Sequence, residues 1–389
     1  MDICFILFFK YINLIISTFN LLANKNISSL NVALPLGISF FTFQIISYVA
    51  DVYKDEVRIQ KSFAKFLLYI SFFPQLIAGP IIKYKDIEHQ LDNREINNEI
   101  FLKGAYNFSI GLAKKVIVAN VLGNVADTML HMNVDKISFL TSWYGIFIFS
   151  LQFYLDFSGY SDMAIGLSKM FGFTFPENFN YPYIATSITD FWKRWHISLS
   201  SFFREYVYIP LGGKYKHQIR NLFIVWFLTG LWHGANYNFI IWGLYYFVFL
   251  VIEKFILDKI FRNIPKIIKN FFGYIFTIFI VMIANTIFYF TNLNELINHL
   301  RVMFLINKNP LTDIYVNSSF RENFFLIIFA MIICTPILNI IKNKIFRNSK
   351  YKYSNTEMIF DTCVIILLMS LSTFELLGQS YNPFLYFRF

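Results

Sequence analysis

From residue 221 to residue 252 the chain carries no Asp, Glu, Lys or Arg. A straight helix of that length would run about 48 Å at 1.5 Å per residue, against about 30 Å of hydrocarbon in a bilayer. It must tilt strongly or break, and Gly230, Gly234, Asn236 and Asn238 mark the weak point. His233 falls inside this run, beside that weak point. Further apolar runs occupy 1–23, 31–50, 101–126, 137–155, 270–294, 323–341 and 362–374. Residues 66–82 are apolar too, but Pro74, Gly79 and Pro80 interrupt them, which suits a re-entrant element. The runs are continuous rather than alternating, which argues against a β-barrel. The pattern predicts an all-α, polytopic helical membrane protein, a single membrane domain over 1–389, with re-entrant and interfacial helices around a central intramembrane site. Residues 1–23 have Asp2 where a signal peptide has a basic start and lack a small-residue cleavage site, so they read as a retained span.

The stretch 187–210 differs from the spans and reads as one interfacial helix. Ser187 or Thr189 can cap it, Asp190 suits its dipole, and Pro210 with Gly212 and Gly213 ends it. Phe191, Trp195, Leu199, Phe202 and Tyr206 recur at three- and four-residue steps. Lys193, Arg194, Ser201, Arg204 and Glu205 lie largely opposite, while His196 shares a neighbouring apolar row with Trp192, Leu199 and Phe203. Such a helix lies at the membrane surface or dips into it. The irregular segment 170–183, with Pro176 and Pro182, leads into it.

Composition agrees with the pattern. The 389 residues are 56% hydrophobic and 15% charged, where a soluble domain is about a quarter charged. The net charge of +10 reads as positive-inside loops and not as a nucleic-acid surface. Residues 253–269 hold Lys254, Lys259, Arg262, Lys266 and Lys269 against Glu253 and Asp258. Residues 342–357 hold Lys342, Lys344, Arg347, Lys350 and Lys352 against Glu357. Two spans separate these loops, so both face the cytoplasm, and the final span carries the aromatic tail 381–389 to the outer side. Cys4, Cys334 and Cys363 lie in apolar runs with no metal or redox spacing.

An ionisable side chain at bilayer depth is costly and marks a candidate site. His233 is the sharpest case. Transfer to a hydroxyl needs a base, and an apolar setting keeps an imidazole neutral and able to accept a proton. Trp232, Asn236 or backbone N–H groups near Gly234 could then steady an oxyanion. The other reading of His233 is a core histidine bonded between helices, and the residues alone leave both open. Asp156 and Asp162, in DFSGYSD, sit at a helix end or a protein-lined cavity, as a polar site wall or as ordinary interhelical bonding. Lys193, Arg194 and Arg204 could meet donor phosphates or anchor to lipid headgroups. No third His or Cys joins His196 and His233 at ligand spacing, so no metal site is expected. His89, His131, His217 and His299 fall in loops or near span ends and read as solvated.

Three long runs carry a specific resemblance: LDFSGYSDMAIGLSKMFGFTFPENFNYPY, SITDFWKRWHISLSSFFREYVYIPLGG and LTGLWHGANYNFIIWGLYY. Together they resemble the core signature of the membrane-bound O-acyltransferase (MBOAT) family, and FFPQLIAGPIIKYKDI at 72–87 points to its bacterial alginate O-acetyltransferase-like branch. The resemblance implies a catalytic His233, on LWHGA, and a hydrogen-bonding role for His196, whose position also takes Asn in the family. It implies no bound cofactor but an acyl thioester donor, acetyl-CoA, in the cytoplasm. The acceptor would be hydroxyls of a cell-envelope polysaccharide outside a bacterial cytoplasmic membrane, reached through a separate extracytoplasmic acetyltransferase partner. The tail resembles the short aromatic C-terminal motif of envelope-acylation machineries, so Tyr386 is a candidate acyl relay, with an interface anchor as the alternative. Family members carry further membrane segments upstream, so the N-terminus reads as short. The rival functions are a polysaccharide or lipid transporter or flippase, and an inactive, N-terminally shortened scaffold.

Overall fold

The computed structural model describes residues 2–30, 32–35, 37–76, 79–346 and 354–378. Among them every regular element is helical. Six of the described helices are long and apolar enough to cross a membrane: Cys4–Ala23, Asn98–Leu130, Tyr237–Ile260, Lys266–Tyr289, Ile314–Ile333 and Asn355–Leu377. The interruption expected at 66–82 is present as two short helices, Phe63–Ser71 and Phe73–Leu76, with Ile81 to Lys83 following without helix. The tail 381–389, with Tyr386, lies outside the described residues.

The central post is Phe139–Met170, 32 residues long. Ser138 caps it by accepting from the Thr141 N–H, and the Asp313 carboxylate accepts from Ser138 N and Thr141 Oγ1 at 2.8 and 2.6 Å. Around the post pack Asn98–Ala113, Asn120–Leu130, Lys266–Tyr289, Leu293–Met303 and Ile314–Ile333. Glycines set the closest of these contacts. A Cβ on Gly104 would meet the Gly166 carbonyl oxygen at 2.7 Å, and one on Gly166 would meet that of Gly104 at 2.6 Å. Gly111 and Gly159 oppose each other in the same way one step further along. Small residues thus let the two backbones touch, as in membrane helix pairs generally.

The post also corrects an expected boundary. A span ending near residue 155 would leave DFSGYSD at a helix end, yet the helix runs through it. The reason lies on the neighbouring helix. A π-helical stretch, Lys114–Ala119, presents two lysines in succession. Lys115 meets Asp156 at 2.6 Å, both buried, and Lys114 meets Asp162 at 2.6 Å. Paired charges remove the need to end the helix.

The stretch 187–210 is not one helix. It forms Ile188–Arg194 and then Ile197–Phe203, which continues into a π-helical turn, Arg204–Tyr208. Trp195 between them is extended and His196 is left-handed, with φ 44°. The segment 178–180 takes over the bonds a continuous helix would have made: Asn180 N–H donates to the Arg194 carbonyl and Ile197 N–H to the Asn178 carbonyl, both at 2.9 Å. Phe191, Trp192, Trp195, His196, Leu199, Phe202 and Phe203 are all buried, so these helices are packed into the protein.

The long charge-free run breaks where its glycines and asparagines fall. Gln218–His233 ends, Gly234 and Asn236 are extended across a bend, and Tyr237–Ile252 begins. The two helices fold back as a hairpin, with Trp226 packed on Trp242 and Tyr246 at 6.2 and 5.3 Å between ring centroids. His233 therefore sits at the tip of a hairpin, not midway along a bent span.

One histidine departs from the solvated reading. His299, on Leu293–Met303, is fully buried with its ring 4.8 Å from that of Phe290. Burial pushes its imidazole down to about 4, against the opposing pull of the Ser142 backbone.

Candidate functional site

His233 is the last helical residue before the turn of the hairpin and is 8% exposed. Aromatic rings wall it: Trp242 at 4.8 Å, Trp232 at 4.9 Å, Phe288 at 5.2 Å and Phe239 at 6.5 Å between centroids. A Cβ on Gly234 would strike the Phe239 ring, so the glycine is what lets that ring close over the turn. Among the described residues, none hydrogen-bonds to the His233 imidazole. Sequence reasoning left open whether His233 ties two helices together by a hydrogen bond; here it is held by rings and its nitrogens are available.

Asn236 stands just beyond, half-buried, and its side chain does not cap the helix it precedes. Its amide thus joins His233 as a second available polar group at the hairpin tip. Asn238, two residues on, is committed: its Nδ2 donates to the Ile287 and Phe288 carbonyls at 3.2 Å. That pair of bonds fixes the hairpin tip to the end of Lys266–Tyr289, and so places Phe288 against His233.

His196 reaches the same place from the other side of Trp232, whose ring lies 5.8 Å from that of His196. It is fully buried, and Phe157 packs edge-on at 4.8 Å. Its Nδ1 lies 3.1 Å from Asn178 Oδ1. The same oxygen accepts from Ser198 N–H at 3.2 Å and Ser198 Oγ at 2.8 Å, while Asn178 Nδ2 donates to Ser161 Oγ at 3.0 Å. Asn178 is therefore the hub of a small buried network. With Nδ1–H donating, Nε2 is left as a buried acceptor without a partner among the described residues. His196 is held in place by polar bonds, whereas the His233 ring meets only aromatic rings among the described residues.

The remaining sequence candidates fall into different settings. Trp232 lies between the two imidazoles, 4% exposed. Arg194 is occupied, with Nε 2.9 Å from Asp190 Oδ1 and a second bond to the Asn180 carbonyl. Lys193 is exposed. Neither cation is brought to the histidines by any bond or ring contact seen here. Tyr386 is outside the described residues. Among the described residues no three His, Cys, Asp or Glu side chains are grouped to hold a metal ion.

Sequence reasoning missed Asn178 and Ser198, and had Asn238 only as part of a helix break and Glu253 only as a loop charge. The Glu253 carboxylate accepts from the Ile188 and Thr189 N–H groups at 2.6 and 3.1 Å, clamping the start of Ile188–Arg194 to the end of the hairpin. Its signal was legible, as a lone acid closing an apolar helix. Asn178 gave only the irregularity of FPENFNYPY as a hint.

Behind the His196 network lies a cavity of about 650 Å³. Ser161, Asn178, Lys114, Asp162 and Tyr181 line its polar side, and Leu368 and Leu371 of the last described helix its apolar side. It touches the network through Asn178 and Ser161, and neither histidine lines it.

Comparison with known proteins gives a consistent result. Residues 3–293 match the family model described as MBOAT, membrane-bound O-acyltransferase family. The chain is 35% identical over 418 residues to the probable alginate O-acetylase AlgI of Pseudomonas putida, covering 100% of this chain and 82% of that protein. It is 34% identical over 424 residues to the peptidoglycan O-acetyltransferase of Helicobacter pylori, covering 98% and 80%. To the teichoic acid D-alanyltransferase of Bacillus subtilis it is 31% identical over 236 residues, covering 57% and 59%.

Proposed function

The chain belongs to the membrane-bound O-acyltransferase family, and from that premise we propose that this multi-pass membrane O-acyltransferase moves acetyl groups from cytoplasmic acetyl-CoA toward hydroxyls of a cell-envelope polysaccharide. One observation carries the assignment of roles. At the tip of the hairpin the His233 imidazole stands inside a wall of aromatic rings with the half-buried Asn236 three residues on, and neither side chain has a hydrogen-bond partner among the described residues.

In the proposed step an acceptor hydroxyl oxygen attacks the thioester carbonyl carbon. His233 takes the hydroxyl proton as the C–O bond forms. The Asn236 amide donates to the oxyanion, where the dry ring-lined setting strengthens the bond. The tetrahedral intermediate then collapses, the C–S bond breaks, and the imidazolium returns its proton to the departing thiolate. His196, tethered to Asn178, supports the Trp232 ring against which His233 packs.

The acceptor class is inferred from relatives whose names specify alginate and peptidoglycan acetylation. The basic loops 253–269 and 342–357 support a cytoplasmic donor side in a bacterial cytoplasmic membrane. A separate extracytoplasmic transferase completes the route to the polymer in this reading. Tyr386 is the proposed relay to it, because a phenol, with a pKa near 10, is a better leaving group than a sugar hydroxyl. Tyr386→Phe keeps the ring and removes only the hydroxyl, so a relay loses polymer acetylation and an anchor does not.

The test is mass spectrometry of envelope glycans from a deletion strain. The reading expects O-acetyl groups to disappear from one glycan and to return with the intact gene. A glycan that keeps its acetyl groups but fails to reach the surface would favour a transporter instead.

A further inference from the structure

The helix Cys4–Ala23 contains one charged residue, Lys10. Its ammonium donates to the Trp232 carbonyl, and to Ser39 Oγ at 3.2 Å. It also lies 6.0 Å from the centroid of the Trp232 ring. The next residue acts alongside it: the buried Tyr11 hydroxyl donates to the Leu231 carbonyl. One helix thus grips two successive carbonyls immediately before His233. Further along, Thr18 Oγ1 and the Tyr237 hydroxyl share a hydrogen bond of 2.7 Å, on the far side of the break.

These carbonyls need partners. The last four C=O groups of any helix lack donors within it, and a cation there also meets the negative end of the helix dipole. What is unusual is the charge. An ammonium in an apolar span is costly, and here no carboxylate among the described residues pairs with it. A neutral donor such as Tyr11 satisfies a carbonyl without that cost. With Lys10 protonated, the clamp sets a positive charge on the carbonyl one residue before the histidine.

We propose that Lys10 is a positioning residue for acyl transfer. With Tyr11 it fixes the carbonyl end of Gln218–His233, so that the imidazole stays aligned, and it keeps one positive charge next to the centre where the oxyanion develops. The proposal rests on the reading of His233 as the base.

Two measurements test it. In the first, membrane vesicles from the deletion strain, carrying each variant, are given radiolabelled acetyl-CoA and the label entering glycan is followed. Lys10→Met should lower apparent kcat about 10- to 100-fold, the scale of a small misalignment, with KM for acetyl-CoA within about twofold. Lys10→Arg should recover most of the rate, since a guanidinium can still donate to the carbonyl. In the second, hydrogen exchange on the purified full chain should quicken at 231–236 in Lys10→Met, with little change elsewhere. Wild-type kcat in Lys10→Met overturns the proposal. So does a loss that Arg does not rescue and that tracks a general loss of stability. If wild-type vesicles take up no label at all, the acyl-transfer reading has failed, and exchange alone judges the clamp: unchanged exchange at 231–236 overturns it.

Discussion

Asn178 offers the most quantitative test of how the site is held. It is 1% exposed, and its Oδ1 accepts from His196 Nδ1, Ser198 N–H and Ser198 Oγ. Asn178→Leu keeps the branching at Cγ, at some added bulk, but removes that acceptor. The Ser198 N–H then stays buried without a partner and the imidazole N–H keeps only the Ser198 hydroxyl at 3.4 Å, so each of the two costs up to about 1–3 kcal/mol. The Ser198 hydroxyl can rotate, and Ile81 N–H already donates to it at 3.0 Å, so it adds less. The sum is about 2–6 kcal/mol, a large share of the roughly 5–15 kcal/mol that typically holds a fold together. The assay is thermal unfolding of detergent-purified protein beside glycan acetylation in cells. Asn178→Leu should unfold several degrees lower and lose acetylation. A Leu variant with wild-type unfolding and activity would show that this network holds nothing in place.

Two other outcomes follow from single side chains. The folded-state value of His299, about 4, lies below the ordinary 6.5, so the neutral form stabilises the fold. That stability is whole above about pH 6.5 and is lost as pH falls toward 4, the loss reaching about 2 kcal/mol by pH 5. His299→Leu should flatten the decline in unfolding midpoint over this range, and parallel pH profiles for variant and wild type would refute the assignment. His196→Asn should keep acyl transfer within about tenfold of wild type, because Asn tolerates the left-handed backbone and its amide can still donate to Asn178. A rate as low as that of a His233 variant would give His196 a proton-transfer role instead.

Much of the architecture was legible because membrane helices declare themselves in unbroken apolar runs. The break at 234–236 was legible too, since Gly234 and Asn236 are poor helix residues inside such a run. That it reverses the chain into a hairpin was not, because the packing of Trp226 on Trp242 and Tyr246 is a tertiary fact. The single helix expected at 187–210 failed for a similar reason. Its apolar stripe runs smoothly through Trp195, and only the bonds from Asn178 and Asn180 interrupt it. Asp156 and Asp162 looked like a helix end because their partners, Lys115 and Lys114, lie on another helix. Lys10 and His299 each carried a readable signal. Lys10 is a lone charge in an apolar run, and His299 shares a face with Leu296, Val302 and Met303 at near-helical spacing.

The central claim is that His233 is the base. The direct measurement is acyl transfer from labelled acetyl-CoA into glycan by vesicles carrying His233→Ala, with the protein level in the membrane checked alongside. The account predicts a fall of about 10²–10⁴-fold, the range for loss of a general base, at near-normal protein level. Transfer at the wild-type rate by that variant would remove the histidine from the chemistry and contradict the account.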